Sequence, residues 1–150
     1  MAHSYYASYE HAVFSSKHRR PFLTHENKDR IFAYLAKAII GSGCQCLIVE
    51  GHQEHVHLLY RKGKEIHTKD LLKEIKRQSC IWAKEEGLVS PEFYWQTGYG
   101  AFSISYWDLK KIKNYIVGQE AHHSKMTWDD EYRKLLKKHG IEFDERFFLN

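Results

Sequence analysis

Apolar positions along these 150 residues change their period several times, and each change marks an element. From Tyr5 to Ser16 the chain (YYASYEHAVFSS) is rich in aromatic and β-favouring residues, which predicts a first strand running into the basic loop Lys17-His18-Arg19-Arg20-Pro21. Thr24 then offers an N-cap, and Ile31, Tyr34, Leu35, Ala38 and Ile39 recur at three and four residues until Gly41 and Gly43 stop the helix. The apolar runs Cys44 to Glu50 and His55 to Arg61, joined by Gly51-His52-Gln53-Glu54, predict a β-hairpin. A second helix is capped near Thr68 and carries Leu71, Leu72, Ile75, Ser79 and Trp82 on one side, ending at Gly87. Alternation from Ala101 to Ser105 predicts a fourth strand, and Ser105 with Asp108 resembles a capping box. Leu109, Ile112, Tyr115 and Ile116 define the apolar side of a third helix, from about Trp107 to His122 or His123. Residues 127–150 add a short charged helix and a tail.

This order packs most simply as an α+β fold, an antiparallel sheet with its helices gathered on one face, plus a C-terminal helix. With two prolines and no repeat or low-complexity tract, one domain over 1–150 is expected, its core at about 5–125. No 18-residue apolar run exists, and Met1-Ala2-His3-Ser4 lacks the layout of a signal peptide, so a cytoplasmic protein with no membrane association is expected. Cys44, Cys46 and Cys80, an odd number, read as reduced thiols.

The net charge of +4 is mild, but its distribution is uneven. Between Arg61 and Arg77 lie seven basic residues (Arg61, Lys62, Lys64, Lys69, Lys73, Lys76, Arg77) against three acidic ones (Glu65, Asp70, Glu74). Such a surplus reads either as a phosphate-contacting surface or as a solvated helix face.

Two constellations carry candidate chemistry. His55-Val56-His57 puts two imidazoles on one side of a strand, about 7 Å apart, where they could grip a divalent metal. With 11 histidines in the chain, roughly one such triplet is expected by chance, and two partly buried, satisfied histidines are the plainer reading. Sixty residues on, Tyr115 and Gln119 stand four apart in an amphipathic helix and share a face, as a nucleophile and a metal ligand would; each is equally at home in an ordinary core or helix surface. In the hairpin, a four-residue turn would set Glu50 opposite His55, Ile48 opposite His57 and Cys46 opposite Leu59. That register separates Cys44 and Cys46 from His52 and His55 and disfavours a zinc site among them.

Four stretches taken together, HRRPFL (His18 to Leu23), EHVHLL (Glu54 to Leu59), WQTGYGAFSIS (Trp95 to Ser105) and KKIKNYIVGQEAHH (Lys110 to His123), resemble the single-tyrosine HUH transposases of small insertion sequences, the IS200-like family, and their relatives associated with repetitive extragenic palindromes. The resemblance implies a ferredoxin-like or RRM-like sheet, His55, His57 and Gln119 as ligands of Mg2+ or Mn2+, and Tyr115 as a nucleophile forming a 5′-phosphotyrosine. It also implies single-stranded DNA with hairpin ends as substrate, and a homodimer whose subunits share active sites. Arg19, Arg20, Lys69, Lys73, Lys76 and Arg77 are the basic residues that would contact DNA. Two features depart from the family pattern: Tyr60-Arg61 after the histidine strand, and the segment after His123. A catalytically idle single-strand-binding module and a metal-dependent hydrolase are the competing readings.

Overall fold

Strand β1 (Tyr9–Ser15) lies at the centre of a four-stranded sheet, because its alternating residues are apolar or fully buried on both sides. In a computed structural model that describes residues 2–150, apart from the side chains of Glu120 and His122, β1 pairs antiparallel with both β3 (His55–Arg61) and β4 (Gly100–Ile104). Strand β2 (Gln45–Gly51) completes the order β2-β3-β1-β4. The sheet is antiparallel throughout, as the sequence predicts.

Period two divides the strands between two faces. Ala12, Phe14, Val56, Leu58 and Tyr60 point to the first, where helices α1 (Lys28–Gly41) and α2 (Thr68–Glu85) cover them with Ile31, Leu35, Ile39, Leu71, Leu72 and Ile75. Burial of each such side chain stabilises by about 1.5–3 kcal/mol, so this face holds most of the apolar core. The helices gathered on one face are these two. Those after β4 lie on the opposite face: α3 (Leu109–Val117) packs Ile112 and Ile116 on Leu59 and Ile104. Helix α5 (Trp128–Lys138) packs Trp128, Tyr132, Leu135 and Leu136 on Val13 and Phe102, and Phe143, Phe148 and Leu149 of the tail fold back on that cluster.

Several local expectations shift. Thr24 does not cap α1; its hydroxyl accepts from the Asn27 amide while Asn27 Oδ1 accepts from the Thr24 amide, closing a turn before the helix begins at Lys28. Thr68 opens α2, but its hydroxyl donates to Glu10, which also accepts from Tyr60. That acceptor explains the polar tip of Tyr60 in the histidine strand, and Arg61 beside it donates to the carbonyl of Tyr6. The hairpin register is two residues from the one expected: Glu50 pairs with His57, and a bulge lies between Cys46 and Ile48. The long third helix breaks at Gly118 into α3 and a short α4 (Gln119–His123). No helix among the described residues is long and apolar enough to cross a membrane.

Candidate active site

The second face of the sheet carries polar residues where its alternation would ordinarily place core. His11 of β1 and His55 and His57 of β3 are each buried to within 1% and lie between the two apolar clusters under α3 and α5. Buried imidazoles need partners. They find them in Glu131, which α5 inserts from the side at 2% exposure.

Glu131 Oε1 lies 3.3 Å from Nε2 of both His55 and His57 and 2.9 Å from His123 Nε2. Its other oxygen accepts from the Tyr115 hydroxyl in a very short contact and from Gln119 Nε2 at 3.1 Å. The amide oxygen of Gln119 faces the same centre, 2.9 Å from His55 Nε2 and 3.2 Å from His123 Nε2. His55 is oriented from behind by Glu54, whose carboxylate is 2.6 Å from Nδ1, and from the side by the Trp128 ring, stacked at 4.1 Å. His57 is held by His11, with His11 Nε2 2.8 Å from His57 Nδ1.

Charge within this cluster is set by a contest between burial and Glu131. Burial opposes a proton on His55, yet hydrogen bonds to Glu131 and Glu54 outweigh it and raise its pKa. Burial wins at His57, which it holds down to about 4. Burial also opposes ionisation of Glu131, but the surrounding imidazoles more than compensate and keep the carboxylate ionised. Burial and the neighbouring carboxylate both push the Tyr115 phenol up, so its proton is firmly held at neutral pH.

The chemistry of the donor set fits a divalent cation. His55, His57 and Glu131 present ligand atoms within 4.8 Å of one another, and the Gln119 oxygen adds a fourth donor beside them. Two imidazoles with a carboxylate and an amide oxygen suit Mn2+, Mg2+ or a related ion, and imidazoles release their protons on binding a metal. A pocket of about 320 Å³ opens beside the cluster, lined by His11, Tyr115 and Glu131 and by the cationic Lys111, Lys134 and Lys138.

A family model described as "Transposase IS200 like" matches residues 4–119. The chain belongs to this family. Two solved structures are similar to this IS200-like transposase in fold. One, described as a candidate transposase from Deinococcus radiodurans R1, is 22% identical, with 79% of this chain and 96% of that chain covered and a TM-score of 0.61. The other is a REP-associated tyrosine transposase bound to a REP hairpin, 15% identical, with 84% and 76% covered and a TM-score of 0.60. No curated protein matches.

The structure brings His55, His57, Tyr115 and Gln119 of the transposase into one cluster within a single chain. Sequence reasoning missed Glu131, which lies beyond the residues the family model matches. Its signal was present: Glu131 sits inside the apolar stripe Trp128, Tyr132, Leu135 of α5, where a carboxylate needs a buried partner. His11 was likewise legible only as a polar residue between Tyr9 and Val13 on a central strand. His123 joins the cluster; the side chain of its neighbour His122 lies outside the described residues.

The six basic candidates divide. Lys69, Lys73 and Arg77 line a groove of about 650 Å³ along α2 with Tyr94 and Tyr99. Lys76 also lines this groove, but its ammonium turns inward and donates to the carbonyls of Gln96, Thr97 and Gly98 at 3.0–3.1 Å; burial lowers its pKa to about 8. Arg19 and Arg20 pair with Asp129 and Glu92 at 3.3 and 3.1 Å and do not line that groove.

Proposed function

We propose that this protein cleaves and rejoins single-stranded DNA at the ends of an insertion sequence, through a covalent bond between Tyr115 and a 5′-phosphate. The observation that carries the reading is the contact of the Tyr115 hydroxyl with Glu131, the same carboxylate whose other oxygen faces both histidines of β3. A nucleophile and a candidate cation site therefore share one buried side chain. His55, His57, Gln119 and Glu131 would hold Mg2+ or Mn2+, which would neutralise charge on the scissile phosphate and orient it.

The protein's own groups supply the remainder. Lys111, Lys134 and Lys138 attract the phosphodiester into the pocket beside Tyr115. Glu131 Oε2 accepts the phenol proton as the bond from Tyr115 Oη to phosphorus forms and the bond to the 3′-oxygen breaks, and the departing 3′-oxygen takes a proton from solvent to leave as a free 3′-hydroxyl. Attack by a second 3′-hydroxyl on the phosphotyrosine reverses these roles: the hydroxyl loses its proton to solvent as the new 3′-oxygen–phosphorus bond forms, the bond to Tyr115 Oη breaks, and Glu131 returns the proton to the phenol. Because the phosphodiester energy is kept in the tyrosine bond, strand joining needs no nucleotide.

The hairpin bound by the REP-associated relative, with the family resemblance, supports hairpin ends as the substrate here. Lys69, Lys73 and Arg77, with the aromatic wall of Tyr94 and Tyr99, are the contacts proposed for it, by phosphate pairing and stacking. Tyr115 and the β3 histidines meet at Glu131 within one chain, which supports a site assembled in a single subunit; a homodimer whose subunits share active sites is the alternative.

The test is incubation with single-stranded DNA carrying a subterminal hairpin, with and without Mn2+, followed by denaturing electrophoresis. A metal-dependent protein–DNA adduct is expected from the native protein and none from Tyr115→Phe. An adduct that persists in Tyr115→Phe would reassign the nucleophile, and no adduct with any candidate end would remove the proposal.

A further inference from the structure

The buried histidine of β1 has no place in the chemistry described so far. His11 is 1% exposed, sits diagonally across from His57 on the same face, and its register partner on β3 is Leu59. The two rings lie 24° from coplanar with centroids 5.0 Å apart, and His11 Nε2 is 2.8 Å from His57 Nδ1. Rings so arranged meet edge to edge through one N–H···N bond rather than face to face. The Phe102 and Tyr115 rings stand edge-on to His11 at 6.0 and 6.3 Å, and fix it from two sides.

One proton lies between the two nitrogens, and its position decides what His57 can do. With the hydrogen on His11, His57 Nδ1 is the acceptor and neutral His57 carries its own hydrogen on Nε2, the nitrogen facing Glu131; that tautomer cannot ligate. With the hydrogen on His57 Nδ1, His11 Nε2 accepts it and His57 Nε2 presents a lone pair to the centre. Ligating histidines are oriented and made more basic by an acceptor on the second nitrogen, and loss of that acceptor typically costs 10–100-fold in metal affinity. His55 has its acceptor in the Glu54 carboxylate. The His11 imidazole stands at the corresponding nitrogen of His57.

We infer that His11 is a positioning residue for the cation site: it accepts the hydrogen of His57 Nδ1, fixing the tautomer and ring orientation in which His57 Nε2 binds the metal. The inference rests on the metal site proposed above, and goes beyond it by assigning unequal acceptors to its two histidines. The acceptor at His55 is a carboxylate, whereas the one at His57 is an imidazole enclosed by the Phe102 and Tyr115 rings.

Titration calorimetry of the DNA-free protein with MnCl2 tests it, with thermal unfolding in EDTA as the control for folding. His11→Leu keeps the bulk beside Leu59 and Phe102 but offers no acceptor, and is expected to weaken Mn2+ binding about 10–100-fold. His11→Gln can place its amide oxygen near the position of the lost Nε2 and is expected to recover most of that affinity. Equal Mn2+ affinity in the native protein and His11→Leu overturns the inference while leaving the metal site standing. A loss in both variants that follows their loss of thermal stability overturns it too, since it would show packing alone. If the native protein binds no Mn2+, the proposed metal site fails and this inference with it.

Discussion

Replacing Glu131 with Gln removes one charge and almost no volume from the middle of the cluster. In the native protein this carboxylate accepts from Tyr115, Gln119 and His123 and lies 3.3 Å from both His55 and His57. A glutamine can present its oxygen to the imidazoles or to the phenol, and its NH2 then faces donors on the other side. Removing one partner of a buried charged cluster costs about 3–5 kcal/mol. At 2–4 °C per kcal/mol for a chain of this size, Glu131→Gln should melt roughly 6–20 °C lower in EDTA. The metal should widen the gap. At a Mn2+ concentration 100 times the native Kd the native protein gains about 2.7 kcal/mol; a variant binding 10–100-fold more weakly gains only about 0.4–1.4 kcal/mol. Differential scanning calorimetry in EDTA and in MnCl2 measures both quantities. If the variant melts within about 2 °C of the native protein in EDTA and gains the same from Mn2+, Glu131 neither organises the histidines nor binds the ion.

Three further outcomes are expected. Lys73→Ala should weaken hairpin DNA binding and reduce the salt slope of log K by about one, whereas Lys76→Met should lower the melting temperature by leaving the carbonyls of residues 96–98 unpaired; a Lys76→Met protein of native stability with weakened DNA binding would contradict its placement. In EDTA, His57 should make the protein acid-labile. Its folded pKa of about 4 lies below the ordinary histidine value of 6.5, so the unfolded chain binds the extra proton first and stability falls as pH drops from about 6.5 toward 4. His55, whose pKa is raised, has the opposite sign and loses its contribution as pH rises through that elevated value, which places the optimum between the two; a urea midpoint that is flat from pH 7 to 4 would refute the assignment. Finally, if Tyr115 acts on the site it contacts within its own chain, mixing Tyr115→Phe with His57→Ala should yield no adduct; recovered activity would show that the tyrosine acts across subunits.

The sheet and its helices were legible because period-two and period-3.6 stripes are long and uninterrupted in β3, α1 and α2. The hairpin register was not, because the turn and the bulge at Cys46 and Ile48 slide the pairing by amounts that side-chain pattern does not encode. His55, His57, Tyr115 and Gln119 could be read as two spaced pairs, yet their convergence depended on α3 folding back across the second face. Glu131 was hidden by habit: in a segment as charged as residues 127–138, one more acidic residue reads as surface until the apolar stripe around it is drawn. Lys76 failed in the opposite sense, since it belongs to the basic run by sequence but is drawn inward by three carbonyls.

The division of the sheet into a dense helix-covered face and a polar row flanked by two small apolar clusters has a consequence for how such a protein changes over generations. Most of the apolar core lies on the side away from the proposed chemistry, and the histidine row draws on that surplus. Substitutions that retune the histidine-bearing face, including the α5 segment that lies outside the family match, therefore meet a tolerance set by residues they never touch. Lineages with an eroded α1–α2 core would lose that tolerance first, before any ligand or nucleophile had changed.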